Sequence, residues 1–183
     1  MKKSDINPMP PYFDRYINLV ADVELSEAFA NSIRQLHELD GNLLTRLDGR
    51  KYAPDKWTVK GILQHIIDFE RILSYRSLLF ARQEGSVPQG VDENLLAANM
   101  NAEKRPLDEL IDELKIVRAA TKSMFDSFDD EMLQNKGINW KYEISVLAMG
   151  FSIIGHQIHH ADSTCKCNTA TITHRSGKVV CLF

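Results

Sequence analysis

Apolar residues recur at helical steps over four long stretches of this chain. In residues 25–47, Leu25, Phe29, Ile33, Leu36, Leu43 and Leu47 form one stripe. Gly41 weakens that pattern locally. Pro54 disfavours helix at the residue before it, so residues 50–56 read as a loop. A second helix is expected to start at Thr58, a suitable N-cap, and to run to about residue 84. Its inner side carries Ile62, His65, Phe69, Ile72 or Leu73, Leu79 and Phe80. The turn-rich run Gly85-Ser86-Val87-Pro88-Gln89-Gly90 ends it.

A polar connection follows over residues 92–105, with a short helix expected at 93–99. It is the longest connection in the pattern, and long connections often line sites. Pro106 suits the first position of a third helix, whose stripe is Leu107, Leu110, Ile111, Leu114, Val117, Thr121, Met124, Phe125 and Phe128. The fourth pattern, from about residue 144 or 145 to 162, is apolar nearly all round: Val146, Leu147, Ala148, Met149, Phe151, Ile153, Ile154 and Ile158. Such a helix is buried on most sides. No strand alternation stands out before residue 164, and there is no internal repeat. The pattern predicts an all-α four-helix bundle.

The end of the chain breaks the pattern. Asp162-Ser163-Thr164-Cys165-Lys166-Cys167-Asn168-Thr169 continues a helix poorly, and the later Thr171-Ile172-Thr173 and Val179-Val180-Cys181 favour extended backbone. We therefore divide the chain into an N-terminal extension (1–24), the bundle (25–163) and an irregular or extended tail (164–183).

Composition adds exclusions. Of 183 residues, 44% are hydrophobic and 26% charged, ordinary for a globular domain long enough to bury a core. The formal charge of -3, with both signs mixed, points to neither nucleic acid nor an anionic membrane as a partner. No apolar run approaches the roughly 20 residues that span a bilayer, and no signal core follows the N-terminus. The expectation is a cytoplasmic protein. Cys165, Cys167 and Cys181 do not make a disulfide framework, and Cys165-x-Cys167 reads as reduced thiols or a soft-metal pair.

Histidine supplies the candidate chemistry. His65 stands on the inner side of the second helix, and His156 and His160 are four residues apart on the fourth. Side chains at that spacing share one helix face. Three imidazoles from two helices could hold a divalent transition metal and leave a coordination position open for water or substrate. His159 could replace His160 as the third ligand, or lie outside the site. Asp68, three residues after His65, could orient an imidazole or a coordinated water. The run His156-Gln157-Ile158-His159-His160 also brushes against the zincin pattern H-E-x-x-H. Gln157 stands where that pattern needs its general base, and an amide cannot serve, so a metalloprotease is rejected.

Taken in order, three segments resemble the DinB/YfiT superfamily of metal-dependent four-helix bundles. Tyr52-Ala53-Pro54-Asp55-Lys56-Trp57-Thr58-Val59-Lys60 is similar to the family's entry to its second helix. Gln64-His65-Ile66-Ile67-Asp68-Phe69-Glu70-Arg71-Ile72-Leu73-Ser74-Tyr75-Arg76 resembles that helix with its first metal histidine. Gly155-His156-Gln157-Ile158-His159-His160 resembles the G-H-x-x-H-H end of the last helix, whose first and last histidines are ligands. The resemblance covers residues 25–162 and implies a site of His65, His156 and His160 holding nickel or zinc. The family's last helix continues past these histidines, where this chain turns polar.

The resemblance also implies an activity, since the superfamily includes thiol transferases that use bacillithiol or mycothiol and a thiol-dependent isomerase. The corresponding expectation is a metal-dependent thiol S-transferase or related hydrolase acting on a small molecule, with a low-molecular-weight thiol as cosubstrate because no cysteine lies in the predicted helices. The alternatives are a non-catalytic metal-binding or stress-associated bundle, as a homodimer, and a bundle whose histidines are vestigial. Glu70, Arg71 and Arg76 read as surface or inter-helix ion pairs, Trp57 as a plug at the bundle end, and His37 and His174 as surface residues.

Overall fold

The computed structural model describes residues 1–39 and 56–169 together with Thr45, Gly49 and Lys51; for residues 162–169 it describes the backbone alone. In chain order the elements are α1 (Asp14–Ile17), α2 (Leu25–His37), α3 (Val59–Ala81), α4 (Glu93–Asn99), α5 (Leu107–Asp126), α6 (Asp130–Gln134), a hairpin of β1 (Lys136–Asn139) and β2 (Tyr142–Ser145), and α7 (Val146–Thr169). Helices α2, α3, α5 and α7 form the four-helix bundle. None of the described helices is long and apolar enough to cross a membrane.

The predicted stripes bury. On α2 these are Leu25, Phe29 and Leu36; on α5 they are Leu107, Leu110, Ile111, Leu114, Val117 and Phe125. Thr58 caps α3, its hydroxyl accepting from the Gly61 N–H at 3.1 Å. Asp92 caps α4 in the same way through the Leu95 N–H at 3.0 Å, so the short helix falls where the sequence placed it.

Two helix ends and a hairpin differ from expectation. Helix α2 closes at His37 and not near Leu47. The break comes just before Asp40-Gly41, a pair that favours turn over helix; Leu43 and Leu47 lie outside the described residues. The hairpin was not foreseen. Its strands have four residues each, and in β1 the alternation is inverted: Asn139 is buried while Ile138 is exposed. Gly137 lets the hairpin lie on α3, since a Cβ there would stand 2.1 Å from the Phe80 ring.

Helix α7 continues to Thr169, past the expected end at Asp162, so Cys165 and Cys167 stand on the helix and not beyond it. The propensity cost of Ser, Thr, Cys and Asn is at most about 0.7 kcal/mol each, and extending a formed helix needs no new nucleus. The side chains of Cys165 and Cys167, the tail from residue 170 onward, and His174 lie outside the description.

The N-terminal extension belongs to the core. Ile6, Phe13, Ile17 and Val20 are buried in one cluster with Phe29, Phe125, Val146, Leu147 and Phe151. Helix α1 lies directly on α7, and Gly155 makes the contact. A Cβ at Gly155 would come within 2.0 Å of the Tyr16 carbonyl oxygen, a backbone atom that cannot rotate away. Elsewhere in the bundle, Arg118 from α5 is fully buried and grips Glu70 of α3 with two 2.8 Å hydrogen bonds, while a third reaches Ser32 Oγ on α2 at 2.7 Å. That ion pair joins three of the four helices.

Gly155→Ala is expected to push α1 off α7 and to cost about 1–3 kcal/mol, the range for overpacking a filled interior. Denaturant unfolding measures it; an unchanged midpoint would mean that α1 does not press on α7 in solution.

Candidate metal centre

Helix α3 presents His65 and α7 presents His156 and His160 to one point. His156 Nε2 lies 3.2 Å from His65 Nε2 and 3.1 Å from His160 Nε2, and the three donor atoms all fall within 4.8 Å of one another. His65 and His156 are buried and His160 is partly buried. Trp57 and Phe69 pack on the His65 ring, each at 4.6 Å between centroids, and Tyr16 meets His156 edge-on at 5.3 Å. Trp57 therefore walls the histidine cluster.

These spacings suit a cation. Zinc–imidazole bonds of about 2.0–2.1 Å set donor atoms about 3.3 Å apart in a tetrahedron and about 3.0 Å apart at right angles. Hydrogen bonding alone serves the cluster poorly. One imidazole nitrogen is either a donor or an acceptor, and His156 Nε2 faces two others at once. A divalent ion would take all three lone pairs together.

Burial sets the charge state. It depresses His65 to about 3, with charge on His160 contributing further. It depresses His160 to about 4, helped by His159 and Arg15. His156 lies well below the ordinary value, first through burial and then through the neighbouring rings. The imidazoles are thus neutral at pH 7, the form that binds metal.

The other candidates fall elsewhere. His159 is exposed and packs against Tyr16 at 5.3 Å, outside the three-nitrogen cluster. Asp68 accepts a 2.9 Å hydrogen bond from Gln64, not from an imidazole. Gln157 is fully buried, with no hydrogen bond to either amide atom among the described residues. Glu70 pairs with Arg118, and Arg71 with Glu113 at 2.6 Å, as inter-helix ion pairs. Arg76 does not follow them: its guanidinium donates to Asn139 Oδ1 and, at 2.8 Å, to the Gln89 carbonyl, and no carboxylate among the described residues pairs with it.

The residue missed from sequence is Glu93, whose Oε1 lies 3.8 Å from His65 Nε2. Its signal was positional, the first turn of a short helix in the long connection. His65, His156 and Glu93 open onto a pocket of about 280 Å³, also lined by Tyr12, Phe13, Tyr16, Phe69, Leu73, Arg76, Asn139 and Trp140.

Comparison with known proteins agrees with this architecture. The family model of the DinB superfamily matches residues 23–162. Among solved structures, YfiT from Bacillus subtilis, described as "a probable metal-dependent hydrolase with an unusual four-helix bundle topology", superposes with a TM-score of 0.64 at 16% identity over 86% of each chain. No curated protein sequence matches.

The depressed histidines predict an acid-sensitive metal-free fold. The unfolded chain protonates its histidines near pH 6.5, whereas folded His65 and His160 stay neutral down to about 3 and about 4. Their stabilisation is complete above pH 6.5 and drains away as pH falls toward 4. The Tm of metal-free protein should drop across that window, and less steeply in His160→Gln. Parallel profiles for the two proteins would contradict the buried neutral cluster.

Proposed function

The chain belongs to the DinB superfamily, and on that premise we propose that it is a metal-dependent enzyme that activates a small nucleophile against a small-molecule electrophile. The observation that carries this reading is the convergence of three imidazoles, His156 Nε2 lying 3.2 Å from His65 Nε2 and 3.1 Å from His160 Nε2, with His65 and His156 on the wall of a pocket. His65, His156 and His160 would hold nickel or zinc, a choice that imidazole ligands leave open. A bound divalent ion supplies Lewis acidity, lowering the pKa of a coordinated water or thiol toward neutrality.

The chain's own residues complete the machinery. Glu93 Oε1 stands beside the cluster and can accept the proton that the nucleophile gives up. Phe69, Leu73, Tyr16 and Trp140 give the pocket apolar walls that keep water from the electrophile. A pocket of about 280 Å³ suits a small molecule. The reaction we favour is S-transfer from a low-molecular-weight thiol, in keeping with the superfamily's thiol transferases. Hydrolysis is the second reading, supported by the fold shared with YfiT and its described activity.

Protein purified without a histidine tag is expected to carry one equivalent of divalent metal by elemental analysis. His65→Ala should lose it, because removing a direct ligand costs more than the roughly 10–100-fold of an outer partner. Metal-free wild type would sink the reading.

Loaded protein should turn over electrophiles with a low-molecular-weight thiol, or activated esters with water. Glu93→Gln should retain metal while turnover falls about 100-fold. Stoichiometric metal with flat rates on both panels would instead mark a non-catalytic metal-binding bundle.

A further inference from the structure

The far end of the pocket from the histidines holds a buried cation. On α3, His65, Phe69, Leu73 and Arg76 follow one another at steps of four, four and three residues, so all four line the same pocket. Eleven residues of helix separate His65 from Arg76, a rise of about 16 Å. Arg76 is 7% exposed. Its two hydrogen bonds go to neutral oxygens, the Asn139 side-chain carbonyl and the Gln89 main-chain carbonyl. A guanidinium has five N–H donors, and a buried charge is normally paired. Arg118, the other deeply buried arginine, shows what pairing looks like in this protein: a two-pronged grip on Glu70.

The pocket is polar in a second sense. Its acidic group, Glu93, stands at the histidine end, 3.8 Å from His65. Cations stack on two of its lining rings: Arg15 lies 3.8 Å over the Tyr12 ring and Lys141 lies 4.1 Å over Trp140. Tyr12 and Trp140 meet edge-on at 5.2 Å between ring centroids, and both hold positive φ, 72° and 60°. At Trp140 the two-residue turn that joins Asn139 to Tyr142 sets this conformation; at Tyr12, outside any hairpin, it costs about 1–3 kcal/mol. Between the two ends the lining is aromatic and aliphatic.

We propose that Arg76 is a substrate-recognition residue, reading a carboxylate at one end of a substrate whose flat apolar body lies along Phe69 and Leu73 with its reactive end at the histidines. The substrate class is thus an anionic, aryl- or alkyl-bearing small acid. Burial lowers the Arg76 pKa, as expected for a cation lacking a carboxylate partner, yet an arginine keeps its proton. The inference builds on the enzyme reading above, since it takes this pocket to be the substrate site; binding measured without metal tests it separately.

The probes are 3-phenylpropionate and 4-phenylbutyrate, each beside its neutral primary amide, titrated calorimetrically into chelator-treated, metal-free protein. Wild type should prefer acid over amide by at least about tenfold, Arg76→Lys should keep part of that preference, and Arg76→Met should bring the ratio to about one. Amide affinity should barely change, which a merely structural loss of the pocket would not allow. Should Arg76→Met fail to fold, the Nε–H resonance of Arg76 in wild type decides: it should shift with acid and not with amide. An acid-to-amide ratio near one in wild type, or a preference that survives Arg76→Met, overturns the proposal. A preference that appears only after zinc is restored also overturns it, by placing the carboxylate on the metal. Failure of zinc to bind, with the acid preference intact, would count against the metal reading and leave Arg76 standing.

Discussion

Helix α7 must be buried on nearly every side, and that requirement organises the molecule. From Val146 to Ile154 it offers almost no polar face, so α1, α2 and α3 close around it. The next turns of the same helix carry His156 and His160, which enter the interior with the apolar residues before them. Gly155 lets the α1 backbone press on α7 at that level. The ring positions are therefore imposed by backbone packing and not by attraction among the rings. Three neutral imidazoles meeting through the same nitrogen have poor hydrogen-bonding options, and a cation is the partner that resolves them.

The two buried arginines divide structural from functional polarity. Arg118 is fully enclosed and held by Glu70 and Ser32, and it ties α2, α3 and α5 together. Breaking such a pair leaves a buried charge uncompensated, so its role is to hold the bundle. Arg76, on the wall that also carries His65, has only neutral partners among the described residues. His65 of the cluster, the apolar Phe69 and Leu73, and the Arg76 guanidinium occupy one face of α3 in succession. One helix thereby sets both the chemistry and the length of whatever the pocket accepts.

The hairpin and the N-terminal segment complete that pocket from outside the bundle. Asn139 and Trp140 come from the hairpin, and Tyr12, Phe13 and Tyr16 from the segment before α2. Of the four bundle helices, α3 and α7 supply the histidine end, while these additions supply the outer wall. Variation on that wall would alter what enters without disturbing the metal-ligand set.

The stripes on α2, α3 and α5, the capped short helix at Glu93–Asn99 and the all-round apolarity of α7 were legible in the sequence, because each is a property of one helix and its own neighbours. So were the three histidines and their four-residue spacing. The early end of α2, the continuation of α7 through Cys167 and the hairpin were not, since differences of tenths of a kcal/mol decide them locally and a four-residue strand with a buried Asn carries no clear period. Glu93 beside His65, and Arg76 without a carboxylate, were decided only by tertiary structure. Sequence periodicity says which face of a helix turns inward; it does not say which side chain of another element will meet it there, and both the Glu93 carboxylate beside His65 and the Arg76 guanidinium on two neutral oxygens are facts of that meeting.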